Sequence, residues 1–241
     1  MAGRGLRVGN VSLGKAEPRV IAPFTDRSSL ALLRLAKKRG LSLLEARVDL
    51  FANVERESVV AHVGRARAVA PVLATVRSAE EGGKWKRGEP ERLALYRALA
   101  PHADALDVEL DAAIRPAVVR AARKARRPVV LSHHDFEKTP SADALDDVVA
   151  RSAKAGADVI KIATFVRKPA DVLALARLFK RHRSRPLVVI GMGERGRVTR
   201  VLFPVLGSLF TFASLDEKSA PGQLGLGETL RGIERSRALL R

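Results

Sequence analysis

Two textures alternate along the chain from Arg19 onward. One is a short apolar run rich in β-branched residues. The other is a longer stretch whose apolar positions recur every three or four residues. The short runs predict strands at Val20–Pro23, Leu43–Leu50, Val72–Arg77, Ala105–Glu109, Val129–His134, Val159–Ala163, Leu187–Gly191 and Ser208–Ala213. The longer stretches predict helices at Ser28–Arg39, Arg56–Arg67, Pro90–Ala100, Ile114–Arg126, Asp143–Ala155, Ala170–Arg183, Glu194–Leu206 and Gln223–Leu240. Leu30, Leu33 and Ala36 share one helical face, as do Val172, Leu175, Ala176 and Phe179. Strand followed by helix, eight times over, is the pattern of an α/β fold built as a single (β/α)8 TIM barrel. No low-complexity linker divides residues 1–241, so one domain is expected. Residues 1–18 are Gly-rich and basic, with a short alternation from Leu6 to Leu13. They form either a hairpin closing the bottom of the barrel or a loose tail.

The strand pattern departs from the expected one in an informative way. Parallel strands covered by helices are normally apolar on both faces. Here Glu45, Arg47 and Asp49 share one face of their segment, Thr75 and Arg77 share another, and Asp107 and Glu109 flank Val108. Ser132 and His134 follow the apolar run Pro128–Leu131. With amphipathic helices covering the outer face, the polar face looks into the barrel. It is concentrated toward the carboxyl ends of the strands, where barrel enzymes carry their sites.

Composition narrows the chemistry. Among the 241 residues 46% are hydrophobic, enough for a core, and there is no cysteine for a disulfide or a thiolate site. His62, His102, His133, His134 and His182 show no metal-ligand spacing, so no metal is expected. The start has no apolar targeting segment, and no later run approaches the roughly 18 apolar residues of a membrane span. A soluble cytoplasmic protein is the expectation. A net charge of +18 invites a nucleic-acid reading. Its distribution argues otherwise: the clusters Lys37–Arg39, Arg123–Arg127 and Lys180–Arg185 each close a helical pattern before Gly or Pro, where cations complement the helix dipole. Aromatic residues amount to 4%, little for bases to stack upon. Helices run antiparallel to the strands, so these basic ends should gather at the pole opposite the site.

Lys161 and His134 stand at the ends of two successive strands joined by one helical connector. A lysine flanked by Ile160 and Ile162 loses solvation as a cation and gains nucleophilicity. A histidine beside it can move protons. The plain alternative is a lysine that snorkels or pairs with Asp107 or Glu109, and the residues alone leave the two readings level. His133 faces the other way and is expected to be structural. Glu81, in the turn after the third strand, could hold an imidazole or simply be a solvated carboxylate.

Six motifs then occur in one order: Glu45-Ala46-Arg47, TVRSAEEGG at 75–83, SHHDFEKTP at 132–140, the lysine in IKIA at 160–163, GMGERGRVTR at 191–200 and SAPGQ at 219–223. Together they resemble type I 3-dehydroquinate dehydratase, the Schiff-base dehydratase of the shikimate pathway, from about Val20 to the carboxyl end. The resemblance implies that Lys161 forms an imine with 3-dehydroquinate. His134 would then take and return the proton in a syn dehydration to 3-dehydroshikimate, with Glu81 orienting His134. It implies that Arg200 clamps the substrate carboxylate, that Ser219 and Gln223 belong to a closing loop, and that Glu45, Arg47 and Arg77 hold ring hydroxyls. Phe136, Met192 and Phe212 would form apolar walls. No cofactor is implied; a homodimer is. Thr199 stands where the family carries serine, and the chain is more basic than the family pattern suggests. A different lysine-imine barrel of the aldolase type would share Lys161 without calling for His134, Arg200 and the 219–223 loop together.

Overall fold

The computed structural model describes residues 6–14, 17–215 and 220–240. A two-residue-per-arm hairpin, β1 (Arg7–Val8) and β2 (Val11–Ser12), precedes the repeating part. Then come β3 (Arg19–Phe24), α1 (Leu30–Lys38), β4 (Leu43–Arg47), α2 (Arg56–Arg67), β5 (Val72–Thr75) and α3 (Glu89–Leu99). Next are β6 (Ala105–Glu109), α4 (Arg115–Lys124), β7 (Val129–Asp135), α5 (Ala142–Lys154), β8 (Val159–Phe165) and α6 (Pro169–Arg181). The chain ends with β9 (Leu187–Met192), α7 (Thr199–Leu206), β10 (Phe210–Ser214), β11 (Leu224–Gly225) and α8 (Leu226–Leu239). The strands from β3 onward form one parallel sheet in the order β11-β10-β3-β4-β5-β6-β7-β8-β9. The sheet curls until its ends meet, where Leu209 N–H donates to the Leu187 carbonyl at 3.0 Å and Val189 N–H to Ser208 Oγ at 3.3 Å. This is the expected (β/α)8 barrel, with a seam between β9 and β10 that carries no full ladder.

Side chains alternate across the strands, and each face has its own core. The outer face puts Ala22, Leu44, Ala74, Leu106, Leu131 and Ile162 against helix residues such as Leu33, Val63, Leu95, Val118, Leu145 and Leu175. The inner face carries Ile21, Leu43, Leu73, Ala105, Val130, Val159, Val188 and Phe210 at the amino ends of the strands. Val8 and Leu13 of the hairpin join this inner cluster, so the bottom of the barrel is plugged by apolar side chains. Each fully buried Val, Leu, Ile or Phe among them contributes roughly 1.5–3 kcal/mol. Two positions further along the same strands the inner face turns polar: Glu45, Thr75, Asp107, Ser132 and Lys161 are all at most 5% exposed.

Three predicted elements change form for local reasons. The strand expected to reach Leu50 leaves the sheet at Arg47, and Val48–Leu50 makes a 3-10 turn that swings Asp49 back onto Arg47. The helix expected over Glu194–Leu206 splits into a 3-10 turn at Glu194–Gly196 and α7. Gly191 and Gly196 are the reason: a Cβ on Gly196 would lie 2.4 Å from the Gly191 carbonyl carbon, so the backbones touch and the chain must turn tightly. Gln223 and Leu224 precede α8, because Leu224 and Gly225 pair with β10 instead. The basic clusters occupy the last turns of α1, α4 and α6 as expected. Arg123 reaches Asp158 at 2.6 Å and the Gly156 carbonyl at 2.8 Å, just before β8 begins. That places its charge at the plugged end of the barrel.

Candidate active site

A cavity opens at the carboxyl ends of the strands. Its wall holds eleven of the twelve residues singled out in the sequence: Glu45, Arg47, Arg77, Glu81, His134, Phe136, Lys161, Met192, Arg200, Phe212 and Gln223. The twelfth, Ser219, lies outside the described residues. His133, on the opposite face of β7, is absent from the wall, as the alternation required.

Lys161 is in the middle of β8, 5% exposed, with Nζ 4.5 Å above the centre of the Phe212 ring. Its neighbours in register are Ser132 on β7 and Val188 on β9. The amine is not isolated among apolar side chains: it donates to Asp107 Oδ2 at 3.1 Å. The ion pair with Asp107 is the contact that the plain alternative named. Asp107 itself is fully buried. Burial would raise its pKa, but Arg77, Lys161 and the hydrogen bonds from Ser132 and Arg77 outweigh this and hold it well below the usual carboxylate range.

His134 sits one strand away, on β7. Glu81 Oε2 lies 2.7 Å from its Nδ1 and accepts its backbone N–H at 3.0 Å. The Phe136 ring stacks beside the imidazole, centroids 6.2 Å apart. Burial holds the His134 pKa well below the ordinary imidazole value, and the cations Arg77, Lys161 and Arg47 add to the effect. Glu81 moves the other way: burial pushes it up to about 8, with Glu109 and Asp107 adding to the rise while Arg77 opposes it. Glu81 reaches the histidine because the turn carrying it is tight. Gly82 has φ +77, and a Cβ on Gly83 would stand 2.1 Å from the Arg77 carbonyl oxygen.

The cations divide into paired and unpaired. Arg47 grips Asp49 with two bonds, Nε to Oδ1 at 2.9 Å and Nη2 to Oδ2 at 2.8 Å. Arg77 is shared among Glu109 at 2.9 Å, Ser132 Oγ at 2.7 Å and Asp107 at 2.6 Å. Glu45 accepts the Thr75 hydroxyl at 2.9 Å. Arg200, 1% exposed on α7, is different: no carboxylate meets it among the described residues. Its Nη2 donates to the Pro221 carbonyl at 3.1 Å, its Nε is buried without a partner, and burial lowers its pKa to about 10. A buried guanidinium with nothing to neutralise it is a site for an anion. Pro221 belongs to the Ala220–Gln223 turn, which accepts the Gly193 N–H at 3.2 Å and so tops the cavity beside Arg200.

Two contributors escaped the sequence pattern. Arg92 and Tyr96, one turn apart on α3, reach the strand ends from outside the sheet. Both lie on the buried face of that helix with Leu95 and Leu99, where an arginine is unusual. That oddity was the available signal.

A barrel whose strand ends carry a buried amine, a carboxylate-held histidine and an unpaired arginine defines an imine-forming enzyme acting on a small carboxylate. The comparisons agree with this class. A family model described as type I 3-dehydroquinase matches residues 21–236. The 3-dehydroquinate dehydratase of Thermodesulfovibrio yellowstonii is 34% identical over 209 residues, covering 87% of this chain and 91% of that protein. That of Methanosarcina barkeri is 33% identical over 240 residues, 95% of this chain and 98% of its own. The crystal structure of 3-dehydroquinate dehydratase from Geobacillus kaustophilus superposes with a TM-score of 0.91 at 30% identity, covering 99% of this chain and 98% of that one. The type I enzyme from Clostridium difficile, with covalently modified comenic acid, gives 0.89 at 29% identity, 98% of each chain being covered. The chain belongs to the type I 3-dehydroquinase family, hydro-lyases of the shikimate pathway that dehydrate 3-dehydroquinate through a Schiff base. Among the described residues no helix is long and apolar enough to cross a membrane.

Proposed function

We propose that Lys161 is the imine-forming residue of this dehydratase and that His134 is its proton carrier. The observation that carries the reading is the common opening of Lys161, His134 and the unpaired Arg200 into one cavity. Arg200 binds the substrate carboxylate as a planar two-point donor, which fixes the ring so that the C3 ketone faces Lys161. The amine attacks C3, water departs, and the protonated imine withdraws electrons from C2. His134 removes the C2 proton through Nε2, the nitrogen left free by the Glu81 contact at Nδ1. It then delivers that proton to the C1 hydroxyl, which leaves as water from the same face. Hydrolysis of the imine releases 3-dehydroshikimate and restores Lys161. Glu45, Arg47 and Arg77 hold ring hydroxyls, Phe136, Met192 and Phe212 shape the apolar side, and Ser219 with Gln223 closes the mouth. The enzyme needs no cofactor in this reading. It works as a cytoplasmic homodimer, and light scattering checks the assembly.

Borohydride reduction in the presence of 3-dehydroquinate tests the assignment. An adduct of substrate mass on Lys161 is expected, and its absence under turnover conditions would sink the reading. His134→Ala should still trap imine while turnover falls by roughly 10²–10⁴-fold. Loss of trapping in that variant would mean the two roles are misassigned.

A further inference from the structure

We propose that Arg92, on the outer helix α3 and absent from the cavity wall, is a positioning residue that sets how Asp107 is shared between Arg77 and the Lys161 amine. The inference rests on the reading of Lys161 and His134 given above. Arg92 is 1% exposed and anchored at three points. Its Nε donates to the Val76 carbonyl at 2.8 Å, its Nη1 to Glu89 at 2.7 Å, and its Nη2 to Glu109 Oε2. The other oxygen of Glu109 accepts Arg77 Nη1 and the Ser78 N–H, each at 2.9 Å. Arg77 Nη2 continues to Asp107 Oδ1 at 2.6 Å, and Asp107 Oδ2 ends at Lys161 Nζ, 3.1 Å away. The result is an unbroken run of alternating charge, Arg92, Glu109, Arg77, Asp107, Lys161, entering from the helix layer and ending on the reacting amine.

An arginine needed only to tie α3 to the sheet could stop at Val76 and Glu89. Its third contact gives Glu109 a second cation, so Arg77 is not drawn wholly onto Glu109 and stays bonded to Asp107. Without Arg92, Arg77 shifts toward Glu109. Asp107 is then left to Lys161 alone, and the tighter contact holds Nζ back from the C3 ketone. The uncompensated charge of Glu109 also acts on Glu81, which that carboxylate already disfavours as an anion. The second effect demands a higher pH for the ionised Glu81. The bond from Ser78 to Glu109 places the start of the Glu81 turn under the same control.

The test compares pH profiles of kcat and of borohydride trapping with 3-dehydroquinate. Arg92→Met should lower kcat by roughly 10–100-fold with little change in KM and move the ascending limb about one pH unit to the alkaline side. Arg92→Lys, which keeps the charge, should return the limb. Tyr96→Phe removes the bond of 2.6 Å from Tyr96 to the Asp107 carbonyl without altering charge, and should leave the limb in place. Glu109→Gln removes the anion and should move the limb in the acid direction, which keeps the proposal testable even where Arg92→Met fails to fold. A limb unmoved by Glu109→Gln and Arg92→Met, or moved as far by Tyr96→Phe, overturns the role of Arg92. If the wild-type enzyme traps normally, only that role is lost; if the wild type forms no adduct, the reading of Lys161 has failed instead.

Discussion

Glu81 meets His134 twice with one oxygen, which accepts the backbone N–H at 3.0 Å and lies 2.7 Å from the ring Nδ1. The opposed shifts of the two groups decide what this pair does with pH. Below about 8 the carboxyl keeps its proton and can donate it to Nδ1, which leaves a proton on Nε2 and no base facing the cavity. As pH rises through that value the carboxylate forms, Nδ1 becomes the donor and Nε2 is freed. The ascending limb of kcat/KM should therefore belong to the pair. Glu81→Gln, which cannot titrate, should abolish that limb and lower the plateau by roughly 10²–10⁴-fold. Steady-state profiles on either side of about pH 8 check this, and an unchanged limb in Glu81→Gln would contradict it.

Arg200 should separate stability from activity. A buried guanidinium that no carboxylate neutralises costs free energy in the unliganded protein. Arg200→Met is expected to raise the melting temperature while weakening kcat/KM by about 2–5 kcal/mol, the loss typical of one partner of a buried charge pair. Calorimetry and initial rates on the same preparation measure both. A variant that is less stable would show that Arg200 is a structural cation.

Asp107 and Glu81 pull the pH–stability curve in opposite senses. Asp107 is depressed on folding, so its contribution is present above the ordinary aspartate range and is lost as pH falls toward its folded value. Glu81 is raised on folding, so its contribution is full below about 4.3 and is lost as pH climbs to about 8. Asp107→Asn should flatten the acid side and cost about 3–5 kcal/mol at neutral pH, because Arg77 and Lys161 lose a buried counter-charge. Glu81→Gln should flatten the alkaline side. Urea titrations across the range distinguish the two.

Neutralising Arg123, Lys124, Arg126 and Arg127 together should leave kcat/KM nearly unchanged at low salt. Arg123 bonds Asp158 and the Gly156 carbonyl at the plugged end, away from the cavity. The cost should appear in stability instead, at about 1 kcal/mol or less for so exposed a pair. A large fall in catalytic efficiency would place the basic charge nearer to the substrate path.

How much of this was visible in the sequence depends on where each contact originates. Alternation along each strand displayed Glu45, Arg47, Arg77, Asp107 and His134 on the inward face, because the period of a strand is two and local. The motifs supplied Glu81 and Arg200, which local pattern alone leaves as a loop carboxylate and one arginine among many. The Asp107–Lys161 bond was legible only as one of two choices, since nothing local says which carboxylate a lysine meets across two intervening strand spacings. Arg92 and Tyr96 stayed hidden: they come from a helix, cross the sheet layer at the strand ends, and are paired by tertiary packing. The turn at Gly196 was missed because periodicity is blind to a backbone that must bend where two glycines touch, and the turn at Asp49 because its side chain bonds Arg47 beside it and, through tertiary packing, the Lys84 N–H.

The apolar plug built from Val8, Leu13 and the amino-end residues of the strands closes one end of the barrel among the described residues, and the cavity opens at the other. Substrate, the water expelled by dehydration, the water that hydrolyses the imine and the departing enone must all pass the mouth beside Arg200 and the Ala220–Gln223 turn. Traffic is therefore sequential: a site still holding product cannot admit substrate by another route, so product inhibition should be competitive and turnover should be sensitive to how fast that mouth clears.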